Sequence, residues 1–211
     1  MRARVHVLAI VVALVVTCGR PSAEIIDRIL AVVDNQIITL SDVRAALTFV
    51  LVPEDISVDP LAAVLQRLVD RRLILTEVDR YAPPDPAAAA VDEAFSAVER
   101  RFKDPVAFDM ALKQSAMSRD ELRAYVRDSL RIETYLQQRF STVIQPNEDD
   151  LVRYYREHSA EFTVAGGLRP LDDVREAARA GAMRLQREAL VRQWLEGLRR
   201  RGSVQVLYLG K

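Results

Sequence analysis

The sequence predicts a mainly α-helical domain with a small β-sheet, an α+β chain whose helical middle is closed by strands from its two ends. Three observations point there. Residues Glu24–Asp42, EIIDRILAVVDNQIITLSD, read as a β-hairpin. Val204–Leu209, VQVLYL, is the other good strand candidate, and it lies at the opposite end of the chain. Between them, apolar residues recur at helical spacing, broken by caps and prolines.

The hairpin rests on period two. Ile26, Arg28, Leu30 and Val32 alternate with Asp27, Ile29, Ala31 and Val33. Asp34-Asn35 tolerate the positive φ of a tight turn, and Gln36–Thr39 resumes an apolar, β-branched run. A lone hairpin is marginal, so it needs a third strand, and the C-terminal run can supply one. The alternative is two short, separate edge strands.

The helices follow in order. Ser41 is placed to cap a helix with Asp42 in its first turn, running through Val43, Ala46, Leu47, Val50 and Leu51 and ending before Pro53. Glu54–Val58 is a connector. Asp59-Pro60 starts a long helix, cap then proline, with Leu61, Val64, Leu65, Leu68, Leu75 and Val78 on one face. Val69, Leu73 and Ile74 broaden that stripe, which suggests more than one helical neighbour. Pro83-Pro84 break it. Asp85-Pro86 and Asp104-Pro105 repeat the cap-and-proline start, the first leading to Val91, Phe95, Val98 and Phe102. The second offers two stripes, Val106, Met110 and Ala111 or Phe108 and Leu112. Ser118 and Glu121 form a capping box before Leu122, Val126, Ser129, Ile132, Leu136 and Phe140. Pro146–Asp150 begins a helix with Leu151, Tyr154, Tyr155 and His158. Gly166-Gly167 and Pro170 mark a loop, and a last helix runs from about Leu171 to Arg201, ended by Gly202.

Met1–Ala23 reads as an export signal. Arg2 and Arg4 precede the apolar Val5–Val16, too short for a membrane span, and small residues follow. Cleavage fits after Ala23 or after Gly19; an uncleaved anchor is the competing reading. Val15-Val16-Thr17-Cys18 is faintly lipobox-like, with Thr17 where that motif takes Gly, Ala or Ser, so lipid anchoring at Cys18 is a lesser alternative. Without the signal the chain has no thiol, hence no disulfide and no thiol nucleophile. Such a chain suits an oxidising periplasm. The signal holds three of the 30 basic residues and none of the 30 acids, so its removal leaves a net charge of −3. That balance argues against nucleic-acid binding.

Chemistry is sparse. His158 has Glu157 and Glu161 nearby but no second histidine, since His6 is in the signal. A helix-end histidine at the negative dipole end is the better reading. Asp149-Asp150 and Asp172-Asp173 fall in first helical turns as dipole partners, and Arg199-Arg200-Arg201 sits at a helix C-terminus. No serine lies in G-x-S-x-G and no Gly-rich phosphate loop occurs. The sequence therefore predicts no catalytic residue, no metal site and no cofactor.

Three segments resemble one family. V-V-D-N-Q-I-I-T-L-S-D within Ile26–Asp42 resembles the opening of SurA-type periplasmic chaperones. Ser118–Phe140 with Asn147–Phe162 is similar to the core helices of SurA, PrsA and related parvulin-containing chaperones. Pro170–Leu209 resembles their last helix and closing strand. The resemblance implies that residues 24–211 form a chaperone, peptide-binding domain. It departs from the family at one place: where a parvulin prolyl-isomerase domain is expected, Phe162 and Leu171 are separated only by Thr163–Pro170. The resemblance thus implies client binding without isomerase activity, and not an enzyme.

The expected function is an ATP-independent periplasmic holdase for unfolded outer-membrane or secreted polypeptides, with no nucleic acid and no membrane span after signal removal. A structural or assembly subunit with one dedicated partner is the alternative, and a degenerate prolyl isomerase a weaker one. Candidate client-binding residues are Phe49, Val50, Phe108, Met110 and Met117, because aromatics and methionine adapt to varied partners. Ordinary core burial is the competing, and favoured, reading of each.

Overall fold

The computed structural model describes residues 27–52, 58–141, 144–164 and 166–208. The expected signal at 1–23 with Cys18, most of the 54–58 connector, and Leu209 fall outside them. Strands β1 (Ile29–Val33) and β2 (Gln36–Thr39) lead into α1 (Leu40–Thr48), α2 (Pro60–Tyr81), α3 (Ala88–Glu99), α4 (Pro105–Gln114) and α5 (Arg119–Phe140). Then come α6 (Glu148–Glu157), a short 3-10 helix (Ser159–Phe162), β3 (Thr163–Val164), β4 (Gly167–Leu168), α7 (Leu171–Arg201) and β5 (Val204–Val206).

The two ends of the described chain meet in one sheet of order β2-β1-β5, antiparallel throughout. Asp34 and Asn35 take φ of 46° and 65°, the left-handed pair that a two-residue hairpin turn requires. Ala31 faces Val206 and Val33 faces Val204. The side chain and backbone of Asp34 both bond Ser203, and Leu207 and Tyr208 donate to the Leu30 carbonyl. β1 is thus covered on both edges. Its register with β2 shifts between Ile29 and Ala31, and Leu30, Ala31 and Val33 are all buried.

Helix starts follow local chemistry, with two departures from the sequence reading. Asp59, Asp104, Ser118 and Asn147 cap as their sequence positions imply. The cap of α1 is Thr39, not Ser41: its hydroxyl accepts from the Asp42 amide, and the Asp42 carboxylate accepts from the Thr39 amide at 2.8 Å. That reciprocal pair satisfies two donors, where Ser41 could satisfy one. Asp85-Pro86 starts nothing; α3 begins at Ala88 with no side-chain cap, on the strength of its alanines. The Gly166-Gly167 loop is a short antiparallel pair, β3 with β4, turned at Gly166 where φ is 81°.

The main core joins the sheet to α1, α2 and the end of α7 through Leu30, Val33, Val43, Val69, Leu73 and Leu198. A second core is aromatic. Phe49, Phe95, Phe102 and Phe108 meet with ring centroids 5.4–6.0 Å apart, mostly edge-on. Phe49 and Phe108 are therefore buried in this core, the favoured of the two readings the sequence offers for them, and do not line the surface. α1 ends at Thr48, so Val50 leaves the helix; it sits at φ 50°, and Arg101 holds the Phe49 and Val50 carbonyls at 2.9 Å. On α5 the buried face is Leu122, Val126, Tyr135 and Phe140, with Tyr135 meeting Trp194 at 5.9 Å. A third core, Leu151, Tyr154, Phe162, Val174, Ala178 and Ala182, joins α6 to the start of α7. There the Tyr154 ring lies against Gly181 so closely that a Cβ at Gly181 would overlap it.

Candidate binding cleft

An open cleft of about 390 Å³ lies among β2, α1, α2 and α5. Its apolar lining includes Ile38, Leu51, Leu68, Leu75 and Met117. Leu68, Arg71 and Leu75 share a face of α2 because they are three and four residues apart. Met117 is presented by the α4–α5 turn, where Ala116 takes φ 53° and the Met117 amide closes on the Leu112 carbonyl at 3.0 Å. A size of a few hundred Å³, apolar walls and a small number of polar groups are what ligand clefts commonly show.

The polar groups are unevenly matched. Arg71 reaches from α2 to α5: Nη1 donates to the Ser129 hydroxyl at 3.0 Å and Nη2 to the Tyr125 carbonyl at 2.8 Å. Its guanidinium carbon lies 3.6 Å from the Tyr125 ring centroid, a close cation–π contact. Burial pulls the guanidinium below its usual range, against an opposing pull from Tyr125 and Asp128. Burial likewise pushes the Tyr125 hydroxyl up.

The acids of the cleft are occupied. Asp42 serves the α1 cap. Glu121 accepts from the Ser118 amide and hydroxyl at 2.7 and 2.8 Å, bonds that hold its carboxyl below the usual range. Asp128 pairs with Arg127 at 3.2 Å and Arg131 at 3.5 Å. Among the described residues neither Arg71 nor Arg72 has a carboxylate within ion-pair distance.

Of the five candidate client-binding residues, Met117 lines this cleft. Val50 and Met110 are exposed but lie outside its lining, and Phe49 and Phe108 are in the aromatic core. Sequence reasoning missed Arg71 and Tyr125. The signal was present: Asp70-Arg71-Arg72 interrupts a broad apolar stripe, and Arg71 falls on that stripe and not opposite it.

A larger trough of about 710 Å³ runs between α2, α5 and α7, but charges dominate it. Arg187 pairs with Glu133, and Arg199 clasps Asp70 with two nitrogens at 2.7 and 2.6 Å. Burial raises the Asp70 carboxyl more than Arg199 lowers it. His158 and Asp172, singled out in the sequence, have structural partners. His158 ends α6, stacked on Tyr154 at 4.1 Å with Nδ1 3.0 Å from the Tyr154 carbonyl. Asp172 and Glu148 both pair with Arg175. Among the described residues, no group of three or more His, Cys, Asp or Glu is placed to hold a metal ion, and no helix is long and apolar enough to cross a membrane.

No protein-family model matches the chain, and no curated protein matches it at a significant level.

Proposed function

We propose that the protein is an ATP-independent holdase that shields extended apolar segments of unfolded polypeptides, working in the periplasm after export. The observation that carries this reading is the open cleft with apolar walls, to which Met117 contributes an adaptable side chain. The likeness of three of its segments to SurA-type chaperones supports it. So does the sheet that joins the two chain ends, the arrangement that likeness implies. Binding, and not catalysis, is the proposed mode of action. Where the family carries its isomerase domain this chain has only Thr163–Pro170.

The test is aggregation of an unfolded outer-membrane protein. Protein lacking residues 1–23 is expected to lower light scattering at stoichiometric ratio without ATP, and not to speed X-Pro isomerisation beyond its uncatalysed tens of seconds. Scattering that stays unchanged refutes the holdase reading. A second reading, a subunit with one dedicated partner, is favoured by exposed apolar residues on the paired strands β3 and β4, Val164 and Leu168. Recovery of one envelope protein in place of many would favour that reading.

A further inference from the structure

We propose that the cleft recognises the free C-terminal carboxylate of a polypeptide whose last residues are apolar, with Arg71 as the anchor and Arg72 as a second cation. The proposal rests on the client-binding reading and names the part of the client that is bound.

Its basis is the mismatch between charge and partners in one cavity. Three carboxylates and two guanidinium groups line the cleft. The carboxylates are engaged: Asp42 and Glu121 by helix caps, Asp128 by Arg127 and Arg131 from outside the lining. The guanidinium groups are not paired with any acid among the described residues. Arg71 bonds only neutral oxygens, those of Ser129 and Tyr125, and stacks on a ring. A guanidinium has five N–H donors, and these two bonds use two of them. Desolvating such a cation is costly unless an anion compensates it, and Asp128 acts on Arg71 only from beyond ion-pair distance. The ring and the two oxygens fix its plane, so the fork is preorganised and little side-chain freedom is left to lose on binding.

A carboxylate fits that fork with two parallel bonds. The walls decide which carboxylate. For an Asp or Glu side chain in mid-segment to reach Arg71, the chain would have to dip into the cleft and leave it again past Leu68, Leu75 and Met117 on both sides. A chain end brings its charge to Arg71 and continues in one direction only, with its last apolar side chains against those walls.

Two labelled octapeptides provide the test. They share a sequence ending in leucine, valine and leucine; one is the free acid and the other the C-terminal amide. Anisotropy titration of protein lacking 1–23 is expected to show the acid binding about tenfold or more tighter, the worth of a charge-assisted bond. Arg71→Gln is expected to abolish the preference for the acid over the amide. Because Arg71 also ties α2 to α5, Ala124→Glu is the second variant. It places a negative charge at the cleft wall without removing those bonds, and should weaken the acid more than the amide.

Equal binding of acid and amide to the unaltered protein overturns the proposal, while the holdase reading survives if aggregation is still suppressed. Binding of neither peptide also overturns it. Decanoate supplies a carboxylate on an apolar chain without a peptide. If it binds and the peptide acid does not, the site takes a free amphiphile and the proposal fails.

Discussion

Two of the cores that α7 enters are assembled in opposite ways. Its last turns, through Trp194, Leu195 and Leu198, pack on a core that needs both ends of the chain: β1 and β2 from residues 29–39, and β5 after residue 203. Its first turns, through Val174, Ala178 and Ala182, pack on α6 and the 3-10 helix, neighbours in sequence. The first core is mostly aliphatic and closed by backbone pairing. The second depends on one aromatic ring set on a glycine, with the Tyr154 hydroxyl joined to Glu161 and Arg184, each at 2.8 Å. Between them, from Met183 to Gln193, α7 has no fully buried residue. That stretch works as a strut, so damage at one end has few packed contacts through which to reach the other.

The largest expected effect comes from breaking the end-built core. Deleting Val204–Lys211 removes β5 and leaves the β1 edge unpaired. The structure tempers the cost, because Gln205 and Val206 are exposed and only Val204 and Tyr208 pack partly on the core. Partial burial of two side chains, with the lost pairing, amounts to about 3 kcal/mol. Against a total of roughly 5–15 kcal/mol that is large. Thermal unfolding should shift down by about 5–10 °C. Amide protection in α6 should persist where protection in β1 is lost. A melting point within a degree or two of the parent would show that closing the sheet contributes little.

The second effect is local to the other core. Gly181→Ala gains helix propensity of about 1 kcal/mol, but its methyl overlaps the Tyr154 ring, and overpacking costs about 1–3 kcal/mol. The net should be loss, seen as faster hydrogen exchange in α6 with β1 and α2 unchanged. A variant more stable than the parent would mean that the ring moves aside freely.

The end-built core was more legible in sequence than the cleft. Strands declare themselves through period two and an Asp-Asn turn, and a marginal hairpin demands a partner, which left Val204–Leu209 as the candidate. Of the three Asp-Pro pairs, Asp59-Pro60 and Asp104-Pro105 were legible caps and Asp85-Pro86 was not one. They were misread where two candidates competed, as with Thr39 and Ser41, because only the fold shows which pairs reciprocally with Asp42. Phe49, Phe108, Met110 and Met117 have the same chemistry for a core as for a binding surface. Burial sorts them, and burial depends on which stripe of α4 faces inward. The stripe of Phe108 and Leu112 does, which leaves Met110 outside. Arg71 could have been flagged as a charge on an apolar stripe, but its neighbours Tyr125 and Ser129 come from a helix some fifty residues on.

The smallest expected effect probes the cap of α5, the helix that forms one wall of the cleft and packs with the end-built side of the molecule. Ser118 and Glu121 exchange bonds, and those from the Ser118 amide and hydroxyl lower the Glu121 carboxyl below its usual 4.5. A carboxylate whose folded pKa is depressed contributes stability above its unfolded pKa and loses it as pH falls through the folded value. Glu121→Ala should therefore cost about 0.5–1 kcal/mol at pH 7, at the lower end of capping effects because the site is exposed. The cost should shrink below the ordinary glutamate range, once the parent's own carboxyl is protonated. Urea unfolding of parent and variant at pH 7 and pH 3 measures both. A difference that stays constant between the two pH values would assign the cost to lost packing and not to the carboxylate. Since α6 and the start of α7 make none of these bonds, exchange in that lobe should be the same in parent and variant at either pH.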